Sequence, residues 1–488
     1  MGYLAFDLGA ESGRAIVGTL QDGRLTLEEI YRFPNEPVRV PDGLHWDVLR
    51  LFHEMKEGLR RAAARYGRNL KGMAVDTWGV DFALLGERDI LLSNPYHYRD
   101  RRTEGVMEEA FKLVPKEEIF SQTGIQFLPF NSLYQLLAWR QQQPALLNQA
   151  RTMLMIPDLF NYFFTGVKAG EFTNATTTQM YNPRAGTWAV DLLTRFDLPV
   201  HMLPDVNAAG TVLGPVLPGV ARETGAGEIT VILPGSHDTA SAVAAVPATG
   251  PDYMYISCGT WSLVGTEVRE PVINDQTLKL NFTNEGGVGG SFRLLKNVTG
   301  LWLVQECRRT WARMGENFSY GELAAMAREA KPLPTVVDPD HPAFLNPENM
   351  PEAIQAYCRE TGQPVPETKG EIVRCALESL ALKYRWVLER LEGILGKRLA
   401  VVHMVGGGTQ NELLCRFTAG ATGRPVVAGP VEATAVGNLL VQAMAMGEIS
   451  NLDEGREIVR RSFALKTYEP EDQEEWDEKY AKFVGLVS

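Results

Sequence analysis

Leu233-Pro234-Gly235-Ser236-His237-Asp238-Thr239-Ala240-Ser241-Ala242-Val243-Ala244 is the stretch that decides how this sequence is read. An apolar strand over residues 230–233 runs into a Pro-Gly break. The break presents His237, Asp238 and Thr239, and a run of small residues then reads as the buried start of a helix. At such a junction in an α/β domain a carboxylate lies where helix N-terminal amides and ligand hydroxyls meet. Asp238 is therefore a candidate general base toward an alcohol. Capping the helix is the competing role for the same side chain, and the rest of the chain must choose.

At 488 residues the chain exceeds one ordinary core, so two domains of about 200 to 250 residues are expected. A net charge of -12 argues against a nucleic-acid partner. No apolar run reaches the roughly 18 residues of a membrane helix. The segment Met1-Gly2-Tyr3-Leu4-Ala5-Phe6-Asp7 has no basic region ahead of an apolar core, so a cytoplasmic location is expected. The seven histidines are scattered and no Cys-x-x-Cys pair occurs, which speaks against a structural zinc site. The five cysteines fit reduced, mostly buried thiols. Cys358 and Cys375 flank a loop that would let them approach, but spacing supplies no bridge geometry.

The chain opens as strand, turn, strand, turn, strand: residues 3–8, 14–20 and 25–33, with Asp22-Gly23 marking the second hairpin. A helix is predicted over 45–66 with Leu49, Phe52, Met55 and Leu59 inward, then a strand over 70–75 leading to Asp76-Thr77-Trp78-Gly79-Val80-Asp81. Residues 95–206 read as a loop-rich, aromatic specificity insertion. After Gly250-Pro251 the opening scheme restarts with strands at 253–257 and 263–268 about the turn Cys258-Gly259-Thr260-Trp261-Ser262. A helix over 369–392, a strand over 399–405, Gly406-Gly407-Gly408, a helix from 410, a strand at 425–428 and a helix over 432–446 follow. A duplicated unit is the natural reading.

In the first turn, Asp7-Leu8-Gly9-Ala10-Glu11-Ser12-Gly13-Arg14, the two glycines permit tight geometry in which amides can face an anion, and Ser12 and Arg14 add a hydroxyl and a cation. Asp7 at the strand end can hold a hydrated magnesium ion. Both turns taken alone are also compatible with ordinary hairpins. Three glycines at a strand end let a flat ring approach the backbone. Two such hairpins with a glycine turn behind them would resemble the actin-like ATPase scheme. Trp78 is a candidate stacking platform or pocket wall, Asp81 a hydroxyl or amide acceptor, and Arg101 and Arg102 are expected in a solvated loop.

With these blocks, and with Asn297-Val298-Thr299-Gly300-Leu301-Trp302 through Gln305-Glu306 and Ala428-Gly429-Pro430-Val431-Glu432-Ala433, the chain resembles the FGGY carbohydrate kinase family over nearly its whole length. The resemblance implies an α/β fold, with two RNase H-like, actin-like ATPase domains flanking an active-site cleft. Residues 1–248 would form the first and 249–488 the second, with the insertion at about 95–206. It implies ATP contacts at Ala10, Glu11, Ser12, Gly13, Arg14, Thr260, Gln305 and Gly407, and ketose contacts at Gly79, His237, Asp238, Thr239 and Asn297. Asp238 would accept the proton, Mg²⁺ would accompany ATP, and Asp7 would hold the metal through water. Glu11 stands where many relatives carry a small residue, so its side chain is expected to face solvent. The implied reaction is ATP-dependent phosphorylation of a ketose at C1, L-rhamnulose being the expected sugar. Kinases of fuculose or xylulose, or a non-catalytic actin-like switch, stand as alternatives. Small-molecule partners and a monomer or small homo-oligomer are expected, with no nucleic acid or membrane.

Overall fold

In the computed structural model, which describes residues 2–487, the chain forms two compact units, neither continuous in sequence. The first comprises Met1–Pro247, Glu267–Leu294 and Ala433–Ser462; the second comprises Ala248–Thr266, Leu295–Glu432 and Phe463–Ser488. No helix among the described residues is long and apolar enough to cross a membrane.

The first unit is built on a mixed sheet whose strands run Val212–Pro215, Thr230–Ile232, Leu70–Thr77, Gly2–Leu8, Ser12–Gln21 and Arg24–Pro34 across the sheet. Gly2–Leu8 is buried along its whole length, as an apolar central strand covered on both faces must be. It pairs antiparallel with Ser12–Gln21 and parallel with Leu70–Thr77. That strand pairs parallel with Thr230–Ile232, which pairs antiparallel with Val212–Pro215. Asp22 and Gly23 both have positive φ (51° and 69°), the geometry a two-residue hairpin needs.

The second unit repeats this scheme. Tyr253–Cys258 pairs antiparallel with Trp261–Val268 and parallel with Val401–Val405; Val426–Ala428 joins parallel and Lys466–Tyr468 closes antiparallel. The pairing sequence is the same in both units, which is the duplication expected from the restart at residue 253.

The helix after the first hairpins is Val48–Tyr66, not 45–66. Residues Gly43–His45 pair as a strand with Val38–Val40, and Asp47 caps the helix by accepting from the Arg50 amide. The buried stripe is accordingly Val48, Leu51, Met55, Leu59 and Ala62, and Leu49 is exposed. Residues 95–206 are helical rather than loop-rich, with helices at Val106–Leu113, Lys116–Thr123, Ser132–Gln142 and Ile156–Thr165. They enclose a core of their own that includes Phe120, Tyr134, Trp139 and Phe196. Every residue from Ser132 to Trp139 is buried, so that helix has no polar stripe to betray its period. The long helix Lys369–Leu395 buries Leu377, Leu380, Tyr384, Val387 and Leu391 as its spacing predicts. All five cysteines are buried free thiols, Cys358 and Cys375 among them.

Candidate active site

The turn between the first two strands closes on itself. Gly9 donates its amide to the Ser12 carbonyl at 2.9 Å, so that amide is committed to the turn rather than offered to an anion. Asn35 pins the turn from the side, donating its side-chain amide to Gly9 O (2.7 Å) and its backbone amide to Glu11 O (3.1 Å). Gly13 is a glycine for packing: a Cβ there would lie 2.2 Å from the Phe33 ring. Neither glycine adopts the left-handed conformation, so the tight-turn argument was not the physical reason for them. Ala10, Ser12 and Arg14 are partly exposed along this turn, and Glu11 is exposed. Arg14 is ion-paired with Asp7.

Asp7 is one of three neighbouring carboxylates. It sits directly across the parallel pair from Asp76, and one step further along Thr77 bridges to His237. Asp76 is completely buried. Its Oδ2 accepts from Asn438 Nδ2 (2.6 Å), whereas Oδ1 has no hydrogen-bond partner. Burial, reinforced by the charge of Asp7, holds its carboxyl well above the usual range.

Asp238 opens the helix Asp238–Ala244, but His237 occupies the cap position and no side chain caps there. The capping role is thus ruled out for Asp238. Its Oδ1 accepts from Thr239 Oγ1 (3.1 Å) and lies 3.5 Å from His237 Nε2, and 31 % of its side chain is exposed. Desolvation raises its carboxyl above the ordinary value, with His237 opposing and Asp7 adding to the shift. The preceding backbone is clamped: Glu171 Oε2 accepts from the Ser236 amide (3.1 Å) and hydroxyl (2.6 Å), and Thr173 Oγ1 accepts from the His237 amide (3.1 Å).

Gly79 lies half-buried in the turn after Asp76, against Thr177. Its neighbour Val80 has φ of +65°, a conformation that a β-branched residue adopts only under strong constraint. The constraint is visible: Thr177 Oγ1 accepts from the Val80 amide (3.1 Å), and Ser132 Oγ and Gln135 Nε2 both donate to its carbonyl. Asp81 is fully buried and accepts from Trp46 Nε1 (2.6 Å), Trp78 Nε1 (2.9 Å), the Tyr98 amide (3.2 Å) and Gln135 Nε2 (2.8 Å). Burial pushes its carboxyl up to about 6 against those four donors. Asp81 therefore builds the wall to which the buried Trp78 belongs, and is not a hydroxyl acceptor. Arg101 is exposed as expected. Arg102 corrects the solvated-loop reading: it lies over the Tyr96 ring (4.1 Å) and donates to Gln135 O and Oε1.

The corresponding hairpin of the second unit closes by the same device, Gly259 N–H to Trp261 O at 2.9 Å. Its carbonyls then receive the next element: Gly300 N donates to Thr260 O (3.1 Å) and Leu301 N to Gly259 O (3.0 Å). This fixes the helix Trp302–Arg313, whose Gln305 keeps Oε1 buried without a hydrogen-bond partner. Asn297, half-buried on the strand Phe292–Thr299, precedes this junction. The strand end is held by Asp340, which accepts from the Thr299 amide (2.7 Å) and pairs with the buried Lys383 (2.9 Å). Gly406 has φ of +86°, and Gly408 packs so closely on Cys258 that a Cβ would meet its Sγ at 2.2 Å. Gly407 between them is exposed. Tyr384 shares a 2.6 Å hydrogen bond with Ser262, bracing the hairpin from the long helix.

Among the described residues no three His, Cys, Asp or Glu side chains form a metal cage. The paired Asp7 and the unsatisfied Asp76 Oδ1 suit a divalent ion that keeps its waters. Asp76, Glu171, Thr173, Glu285 and Arg293 were not singled out by sequence reasoning. An arginine inside the apolar run Phe292-Arg293-Leu294-Leu295 was the available signal for the last of them.

The architecture is that of the two-domain sugar kinases. A gluconate kinase from Lactobacillus acidophilus superposes with a TM-score of 0.82 at 17% identity, covering 99% of this chain and 96% of that one. A ligand-bound xylulose kinase from the same organism gives 0.81 at 17% identity over the same shares of the two chains. Residues 2–245 match the N-terminal domain, and residues 254–446 the C-terminal domain, of the FGGY family of carbohydrate kinases. The chain belongs to that family. It is 44% identical to a rhamnulokinase of Bacteroides thetaiotaomicron over 99% of both chains. It is 42% identical to a rhamnulokinase of Oceanobacillus iheyensis over 95% of this chain and 97% of the relative.

Proposed function

We propose that this carbohydrate kinase transfers the γ-phosphoryl group of ATP to the C1 hydroxyl of L-rhamnulose, serving L-rhamnose catabolism in the cytoplasm. The observation that carries the chemical half of the reading is Asp238. One carboxylate oxygen is engaged by Thr239 and faces His237, while the side chain remains partly open at a position where it caps nothing. The full-length likeness to rhamnulokinases supports the choice of sugar.

In this reading Asp238 accepts the C1 hydroxyl proton as the oxygen attacks the γ-phosphorus and the bond to the β-γ bridging oxygen breaks, ADP leaving with that electron pair. Its raised proton affinity suits a base that takes up a proton late. Gly79, His237, Thr239 and Asn297 hold the sugar. The turn from Ala10 to Arg14, with Thr260, Gln305 and Gly407, holds the nucleotide, and the buried Gln305 Oε1 is an atom that a ligand donor would satisfy. Magnesium, near Asp7 and through water, would neutralise phosphate charge. The two units, drawn mainly from residues 1–248 and from 249–488, act as the two domains, and residues 95–206 shape sugar specificity.

The test is coupled ADP release with Mg-ATP against L-rhamnulose, L-fuculose, L- and D-xylulose, L-ribulose and glycerol. A clear preference for L-rhamnulose is expected. Preference for another ketose would move the specificity, and sugar-independent ATP hydrolysis would replace the kinase by a switch.

A further inference from the structure

Arg293 is completely buried within the first unit, where its guanidinium makes two hydrogen bonds and one ion pair while Nη1 has no hydrogen-bond partner. Nε donates to Gly286 O (2.8 Å); Nη2 donates to His237 Nδ1 (3.1 Å) and pairs with Glu285 Oε2 (3.2 Å). A buried guanidinium costs several kcal/mol of desolvation unless its partners compensate it, so such placement calls for a reason. The reason lies in the ring it addresses. A guanidinium has no acceptor, so the nitrogen facing it must present a lone pair. Although Glu285 Oε2 also lies 3.3 Å from Nδ1, a proton on that nitrogen would collide with the arginine N–H.

We infer that Arg293, neutralised by Glu285, is a positioning residue for His237: it fixes the ring in the tautomer that carries its proton on Nε2, the nitrogen 3.5 Å from Asp238 Oδ1. In that tautomer the imidazole offers N–H to the carboxylate and to ligand hydroxyls. The other tautomer would aim a lone pair at the carboxylate and turn it away. The Thr173 bond to the His237 amide fixes the backbone, and Arg293 fixes the remaining freedom, the ring's proton. The inference rests on the proposed role of Asp238 for its kinetic consequence, but not for its structural content.

The experiment pairs a spectrum with kinetics. In protein carrying ¹⁵N-histidine, the His237 ring is identified by its loss in His237→Gln, and two-bond ¹H–¹⁵N correlations report which nitrogen is protonated. Wild type is expected to be protonated at Nε2, Arg293→Met to mix or exchange tautomers, and Arg293→Lys, which keeps a donor, to restore the wild-type pattern. In turnover with ATP and L-rhamnulose, Arg293→Met should lower kcat by about 10- to 100-fold, taking as a guide the cost of removing the outer partner of a metal-bound imidazole. KM for ATP should stay unchanged, and the lysine variant should recover part of kcat. Should Arg293→Met fail to fold around the stranded Glu285, the double variant Arg293→Met/Glu285→Gln removes the pair together and carries the same expectations. A wild-type ring protonated at Nδ1, or an unchanged ring and kcat without the guanidinium, would overturn the inference. If no ketose is phosphorylated, the spectrum still decides it, so failure of the kinase reading is told apart from failure of this one.

Discussion

The turn at Gly9–Ser12 and the turn at Gly259–Trp261 occupy the same place in two sheets of the same pairing order, and each is closed by a glycine amide. Their surroundings differ in kind. Around the first are Asp7, Asp76 and Asp238, with Arg14 against Asp7, and Glu171, Glu285 and Arg293 behind the Asp238 segment. Touching the second are neutral groups packed to contact, Gly300 under Ser262, Gly408 against Cys258 and Tyr384 on Ser262, and the charged Asp340–Lys383 pair stands one residue back at Thr299. One frame has thus been furnished twice, once with buried charge and once with close backbone packing. Charge placed at a cost suits proton and phosphoryl chemistry, whereas a backbone surface with few protruding side chains suits a flat ligand.

This contrast can be broken at either end. The largest effect should come from Asp238→Asn: kcat falls by about 10²- to 10⁴-fold, the range for loss of a general base, while calorimetry finds ATP binding preserved. In the wild-type enzyme kcat/KM for the sugar should fall on the acid side as Asp238 takes up its proton. Because its carboxyl is raised, that limb lies above the ordinary aspartate range and is absent from the residual activity of the Asn variant. In the neutral region Gly408→Ala should act by shape. Its Cβ would lie 2.2 Å from Cys258 Sγ, so we expect a loss of about 1–3 kcal/mol in denaturant unfolding together with a raised KM for ATP. Combining it with Cys258→Gly should recover part of both. The smallest effect belongs to Tyr384→Phe, which removes the Ser262 bond at a cost of about 1 kcal/mol and leaves kcat and its pH dependence unchanged. A strong pH shift from Tyr384→Phe would erase the distinction between the two regions.

The sequence was legible where function coincides with a local pattern. The strand–Pro-Gly–His-Asp-Thr junction, both hairpins and the glycine turn lie where their alternation and punctuation place them, and Asp238 stands just inside its helix. It was less legible where long-range contacts set the meaning. Arg293 is near in space to His237 although 56 residues away, and Glu171 supports Ser236 across 65. Asp81 stays open in the sequence between a hydroxyl and an amide acceptor because three of its four donors, Trp46, Tyr98 and Gln135, come from outside its own turn. Within residues 95–206 the helix Ser132–Gln142 was hard to read because burial on all sides from Ser132 to Trp139 leaves it no polar stripe. The sequence suggests that Gly13 permits a tight turn, whereas in the structure it is the Phe33 ring rather than the backbone angle that forbids a side chain there.

The most direct test of the central claim is the identity of the product. L-Rhamnulose incubated with enzyme and Mg-ATP should yield a single sugar phosphate whose ³¹P signal correlates with the two C1 methylene protons, with ADP formed in equal amount. A phosphate correlated to any other carbon, or ADP formed while the sugar stays unmodified, would contradict the account.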